Sequence, residues 1–387
     1  MKNFTYENRT KIIFGKDSEQ KLSEEIDLFG ASKILLHYGS DRIKKDGLYD
    51  KIVEQITKAG ANYVALGGVV PNPQLELVKK GIEICKKEDV DLILAVGGGS
   101  VIDSAKGIAA GTVYNGDVWD FYESKAVCEE AIPVATVLTI PAAGSESSAN
   151  TVITNIKTGR KLAFGSEALR PIFSILNPEL TMSLPDYQTA CGISDMLAHV
   201  FERYFVNVDN VVVTDELCLA HMRSIMEIGL KVIGEPDNYD YRAELMLAGM
   251  IAHNGWLNTG RGGEWTSHQI EHELSAEYNI AHGAGLSIIF PAWMKTVYKD
   301  DTELFSDWAR DVMGIVEKDD EKASMLGIEK LEEFYKQIGM PIRMSEAKIT
   351  DDRYEKMAMN LLNKAETIGK FKKFNKKEII EIYELAK

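Results

Sequence analysis

Apolar and polar positions change rhythm once along the chain, near its midpoint. In the first half, short apolar runs alternate with amphipathic stretches. Lys33–Tyr38 (KILLHY), Ala61–Leu66, Leu92–Val96 (LILAV) and Pro133–Ile140 read as strands. Leu48–Ala59, Glu76–Lys87 and Val101–Ala110 carry helical spacing between them. Strands separated by helices predict βαβ units and a parallel sheet, with the strand C-termini along one edge where ligands usually bind. After Pro185 the helical period dominates through Gln188–Val206, Thr214–Ile233, Tyr241–Leu257 and Trp265–Ala276. It continues through Thr302–Gly314, Asp319–Gln337, Asp351–Lys364 and Lys376–Ala386. The expected architecture is an α/β domain over residues 1–185, Rossmann-like with a parallel sheet, and an all-α domain over 186–387. Their boundary falls within about four residues of Leu184–Tyr187.

The length of 387 residues supports these two cores without staples. Lys plus Arg number 44 and Asp plus Glu 59, giving a net charge of −15. That balance excludes nucleic-acid backbones and anionic membranes as expected partners. The basic run Lys370–Lys377 then reads as a solvated helix start. The longest apolar stretch, around Gly283–Trp293, is interrupted by Ser287 and Pro291. The first residues lack the apolar core of a secretory signal. Cys85, Cys128, Cys191 and Cys218 form no CxxC pair and read as apolar fillers. A cytoplasmic protein is expected.

Candidate chemistry lies in two places. Strand Leu92–Val96 runs into Gly97-Gly98-Gly99-Ser100 and then a helix. Glycines allow a tight turn and close approach of an anion, the helix start offers free N–H groups, and Ser100 is placed to cap it. The spacing is neither GxGxxG nor a nucleotide-hydrolase loop. Thr139–Glu146 again puts small residues after a strand, and Ser40 follows KILLHY where the adenosine ribose is usually read. Ser40 in place of an acidic residue, with Arg42, Lys44 and Lys45 downstream, points to NADP(H) ahead of NAD(H); Asp41 weighs against it.

The second place is in the helical half. Asp195/His199 and His268/His272 each stand at i and i+4 on one helix face, and His282 follows after a loop. A carboxylate with imidazoles suits one divalent metal, Fe²⁺ or Zn²⁺, rather than Ca²⁺ or Mg²⁺. His37, His221 and His253 have no such company in the sequence and read as structural.

Together these segments resemble the iron-containing (group III) alcohol dehydrogenase family, nearest its NADPH-dependent butanol dehydrogenase and aldehyde reductase subgroup. The resemblance rests on TKIIFG, YGSDRIKKDGLYD, GGGSVIDSAK, TIPAAGSE, NPELTMSLP, GISDMLAHVFE, EWTSHQIEHELSA and AHGAG, in that order. It implies a dehydroquinate synthase-like architecture, an oxidoreductase acting on a primary alcohol or aldehyde such as butanol and butanal, and a homodimer. It also implies Asp195, His199, His268 and His282 as metal ligands, and His272 as the catalytic histidine facing nicotinamide and substrate. Gly98, Gly99 and Ser100 correspond to pyrophosphate contacts, Thr139 and Ser145 to a second cofactor loop, and Asn72, Asn150 and Lys161 to residues lining the cofactor. Trp256, Trp265 and Phe164 are candidates for the substrate channel or for core packing. The same architecture also serves diol, glycerol or sulfonated-aldehyde substrates and NAD(H)-linked members.

Overall fold

The computed structural model describes residues 1–387. The chain forms two compact units. One is Glu7–Leu184; the other is Pro185–Lys387 together with Met1–Tyr6.

In Glu7–Leu184 the strands are β1 (Lys11–Phe14), β2 (Lys33–Tyr38), β3 (Asn62–Leu66), β4 (Leu92–Gly98), β5 (Val134–Ile140), β6 (Asn150–Asn155), β7 (Arg160–Gly165) and β8 (Phe173–Leu176). The helices are α1 (Leu22–Phe29), α2 (Arg42–Lys45), α3 (Leu48–Lys58), α4 (Leu75–Glu88), α5 (Gly99–Val113) and α6 (Trp119–Tyr122). Six strands form a parallel sheet in the order β1-β8-β5-β4-β2-β3. Every residue of β4 is buried, as a central strand covered on both faces requires. Chain order reverses between β2 and β4, so Ser40 and the glycine run sit at the topological switch point where open α/β sheets bind ligands. Strands β6 and β7 make a separate antiparallel hairpin, paired from Asn150↔Gly165 to Asn155↔Arg160.

Two expectations about the glycine run need correcting. None of Gly97, Gly98 and Gly99 adopts positive φ, so the run is not a tight turn. Glycine is needed there for closeness: a Cβ on Gly97 would collide with the Val101 side chain, and one on Gly98 would stand 2.9 Å from Ile140 Cβ. Nor does Ser100 cap the helix. The N-cap position is Gly98, with no side-chain capping bond, which leaves the first amides of α5 open to an external acceptor.

The second unit is helical: α7 (Asp186–Tyr204), α8 (Val212–Gly234), α9 (Tyr239–His253), α10 (Thr266–Tyr278), α11 (His282–Val297), α12 (Thr302–Asp311), α13 (Asp320–Gln337), α14 (Tyr354–Leu362) and α15 (Lys376–Leu385). Its core is aromatic in the middle, with Phe205 stacked on Phe305 at 4.4 Å and Trp293 and Trp308 fully buried. The amino terminus is tied to the same unit. The Met1 ammonium donates to the Asp209 carbonyl at 2.8 Å, and Tyr6 meets Trp256 edge-to-face at 4.8 Å. No helix is long and apolar enough to cross a membrane.

His37, in β2, is fully buried, with Nδ1 2.8 Å from the Leu66 carbonyl and Nε2 2.9 Å from Ser104 Oγ. A carbonyl only accepts, so Nδ1 donates to Leu66, and neutral Nε2 accepts from Ser104. Burial pushes the ring down from 6.5 to about 4. Between those values the unfolded chain binds a proton that the folded chain refuses, so stability falls as pH drops from 6.5 to 4. The full effect is about 3 kcal/mol. Urea unfolding across that window will show this acid limb in the wild type and a flatter limb in His37→Gln; equal limbs would remove His37 as its source.

Candidate active site

Helices α7 and α10 and the first residue of α11 carry the candidate metal ligands. One ligand atom each from Asp195, His268 and His282 lies within 4.8 Å of the other two. Helical spacing brings His199 to the same place, with Nε2 3.3 Å from Asp195 Oδ1 and its ring centroid 4.8 Å from that of His268. Asp195, His199 and His268 are buried, and His282 is half-buried.

The hydrogen bonds show which atoms remain for a ligand. His268 Nδ1 lies 2.8 Å from Glu202 Oε1, which turns Nε2 inward; that Nε2 is buried and has no protein partner. His282 Nδ1 is bonded to Glu271 Oε2. Asp195 Oδ1 and His199 Nδ1 are also buried and without hydrogen-bond partners. Buried polar atoms are normally satisfied. Here a carboxylate oxygen and imidazole nitrogens are left together, and that donor set fits Fe²⁺ or Zn²⁺. Burial, then the neighbouring His268, Arg203 and His282 charges, holds His199 well below its ordinary value, so its ring is neutral and able to ligate.

Glu271, His272 and His282 form a second, overlapping cluster. It fits a metal less well, because both Glu271 oxygens are already used: Oε1 accepts from the Ser275 hydroxyl and Oε2 from His282. His272 is half-buried one turn beyond His268, its ring centroid 5.5 Å from that of His282.

Two carboxylates that the sequence reading passed over, Glu202 and Glu271, therefore belong to the candidate centre. Glu202 also accepts from the Trp265 and His268 amides and so fixes the start of α10. The signal was present: Glu202 follows Asp195 by seven residues and His199 by three on one helix face, and Glu271 follows His268 by three. His253, read as structural and isolated, is placed with its ring 4.2 Å from His199 and its Nδ1 2.8 Å from Arg203 Nη2. That proximity comes from the packing of α7 against α9, which no local spacing reveals. Trp265 packs edge-on to His199 and His268. Trp256 is exposed against Tyr6, and Phe164 packs on Phe121 and Tyr122.

The candidate cofactor residues all belong to Glu7–Leu184. Ser40, Gly98 and Thr139 lie at or just past the C-terminal ends of β2, β4 and β5, and Gly99 and Ser100 open α5. The first turn of α5 carries no acidic residue, so its amides and dipole suit a phosphate. Asn72 lies beyond β3 in left-handed conformation with φ 56°. Asn150 is exposed at the start of the hairpin, while Lys161, on β7, is buried. Ser145 is also buried, with its hydroxyl engaged inside the protein.

Comparison with known proteins identifies the family. The family profile described as iron-containing alcohol dehydrogenase matches residues 9–178, and that of the Fe-containing alcohol dehydrogenase family, C-terminal, matches residues 189–387. The chain belongs to the iron-containing alcohol dehydrogenase family. It is an oxidoreductase of the alcohol dehydrogenase and aldehyde reductase type, whose family implies a divalent metal and a nicotinamide cofactor. It is 42% identical over 384 residues to a probable NADH-dependent butanol dehydrogenase 1 of Bacillus subtilis, covering 99% of each chain. Identity to the NADPH-dependent aldehyde reductase YqhD of Escherichia coli is 34% over 349 residues, 89% of each. The crystal structure of NADH-dependent butanol dehydrogenase A from Thermotoga maritima superposes with a TM-score of 0.97 at 40% identity, covering 100% of this chain and 99% of that one.

Carboxylates that hold a ligating histidine are worth about 10–100-fold in metal affinity. Glu202→Gln and Glu271→Gln will each weaken Zn²⁺ binding by about that factor in a chelator competition, with far-ultraviolet circular dichroism unchanged. Affinities within twofold of wild type would show that the two carboxylates do not set the histidine geometry.

Proposed function

We propose that the chain reduces short-chain aldehydes such as butanal, and oxidises the corresponding primary alcohols, using NADH and one divalent metal held by Asp195, His199, His268 and His282. The observation that carries this reading is the set of buried, unpartnered lone pairs on Asp195, His199 and His268. When bound, the metal supplies Lewis-acid polarisation of the carbonyl oxygen, and the nicotinamide supplies hydride.

The chain's own residues do the rest. Glu202 and Glu271 fix the ring orientations of His268 and His282. The glycine run and the open amides of α5 hold the cofactor pyrophosphate. His272, whose ring centroid lies 5.5 Å from that of His282, delivers a proton to the substrate oxygen as the alcohol forms and removes it in the reverse direction.

The choice of NADH over the NADP(H) expected from the basic residues beyond β2 rests on how those residues are used. Lys44 Nζ is 2.8 Å from Asp41 Oδ1 and stands over the Tyr38 and Tyr49 rings. Arg42 is bonded to Asp46 and to Ser183. Arg42 and Lys44 are committed, which leaves Lys45 against Asp41, a carboxylate where a 2′-phosphate would approach. The more similar relatives compared above are also named for NADH.

Initial rates with butanal will give kcat/KM at least about tenfold higher for NADH than for NADPH, a difference of about 1.4 kcal/mol. Equal values, or a preference for NADPH, would reverse the cofactor assignment. His272→Ala will keep its metal and bind NADH, while kcat falls by about 10²-fold or more. A kcat near wild type would take the proton transfer away from His272.

A further inference from the structure

Lys106 takes no part in the chemistry described so far, yet it is fully buried in the middle of α5. Its ammonium donates to three backbone carbonyls: Ser145 at 2.7 Å, Ser148 at 2.9 Å and Asn150 at 3.0 Å. It also lies 2.9 Å from Ser145 Oγ. One turn earlier, Asp103 accepts from the Ser145 hydroxyl at 2.5 Å and from the Val152 amide at 3.0 Å, and its carbonyl takes the Thr151 hydroxyl at 2.8 Å. Two side chains of one helix therefore hold the whole segment from Ser145 to Val152.

That segment follows β5 at the strand edge that carries the glycine run, and it includes the candidate cofactor residues Ser145 and Asn150. A serine hydroxyl has one proton. Ser145 gives its proton to Asp103 and faces the Lys106 ammonium with its lone pairs, so the side chain is committed within the protein. What the segment offers a cofactor then depends on the path of its backbone. A buried ammonium is costly unless its protons are all bonded, and here three carbonyls of an irregular segment meet them. A neutral side chain of similar length would leave those carbonyls unsatisfied.

We propose that Lys106 is a positioning residue for the nicotinamide cofactor: its ammonium clamps Ser145–Asn150 to the helix whose amino end receives the pyrophosphate. The inference rests on the reading of Glu7–Leu184 as the cofactor-binding unit. The charged groups facing the ammonium are Asp103 on its own helix, Glu146 in the clamped segment and Arg170 beyond the hairpin. Burial brings Lys106 down to about 8, against the pull of Asp103 and Glu146. Above that pH the clamp loses its charge.

The test is NADH binding without substrate, followed by fluorescence energy transfer from the protein, together with steady-state kinetics. In Lys106→Met the Kd and KM for NADH will rise about tenfold or more, while kcat at saturating NADH and the affinity for Zn²⁺ stay within about threefold of wild type. Wild-type Kd will rise above pH 8, and in Asp103→Asn the start of that rise will move to lower pH because an anion that stabilises the ammonium is gone. Wild-type cofactor affinity in Lys106→Met would overturn the proposal. Should that variant not fold, a flat wild-type profile from pH 7 to 9.5, or an unshifted one in Asp103→Asn, would overturn it. Failure of the wild type to bind either NADH or NADPH would instead overturn the cofactor reading itself.

Discussion

Glu202 and Glu271 each hold the Nδ1 of a histidine, and the rest of the candidate metal centre depends on that pairing. With Nδ1 tied, Nε2 is the ring nitrogen turned toward Asp195: in His282 it lies 3.9 Å from Asp195 Oδ1, and in His268 it is buried without a hydrogen-bond partner. Both carboxylates are fully or almost fully buried, which stiffens the ring orientation. Glu202 does more than orient one ring, because it also accepts from the amides at the start of α10. The helix that carries Asp195 and His199 thereby fixes the helix that carries His268. Gly285 is part of the same arrangement: a Cβ there would collide with the Glu271 carboxylate.

The candidate cofactor unit, Glu7–Leu184, uses one helix in a comparable way. The amino end of α5 presents uncapped amides, and its middle, through Asp103 and Lys106, holds the segment after β5. A chain with a net charge of −15 repels an anionic cofactor at long range. Attraction must come from local dipoles and a few cations, and those act only when the backbone is held in place.

The parallel-sheet half and the helical half were legible because apolar periodicity is a local property of the chain. Most long helices were read to within a few residues, as with Asp320–Gln337 against an expected Asp319–Gln337, but α11 was missed, because a helix buried on nearly every face carries no amphipathic period. The hairpin β6–β7 was not legible. Its strands NTVITN and RKLAFG are short and carry polar residues at many positions, and its pairing is set by the reversal at Gly159, φ 64°. Strands β1 and β8 have four residues each, too few for a periodic signal. At the candidate site, the Asp195/His199 and His268/His272 pairs were visible as helix-face neighbours. Glu202 and Glu271 had the same spacing but were unremarkable in a chain rich in acidic residues. The approach of His253 to His199 and the burial of Lys106 are tertiary facts with no local signature.

The central claim is that the lone pairs gathered around Asp195 form a metal centre on which aldehyde reduction depends. Its most direct test strips the protein with a chelator and adds back Fe²⁺ or Zn²⁺ while NADH oxidation by butanal is followed. The stripped protein will show almost no turnover, with a linear rise as metal is added and a sharp break at one ion per chain. Undiminished turnover by the metal-free protein, or a rise with no break near one ion, would contradict it.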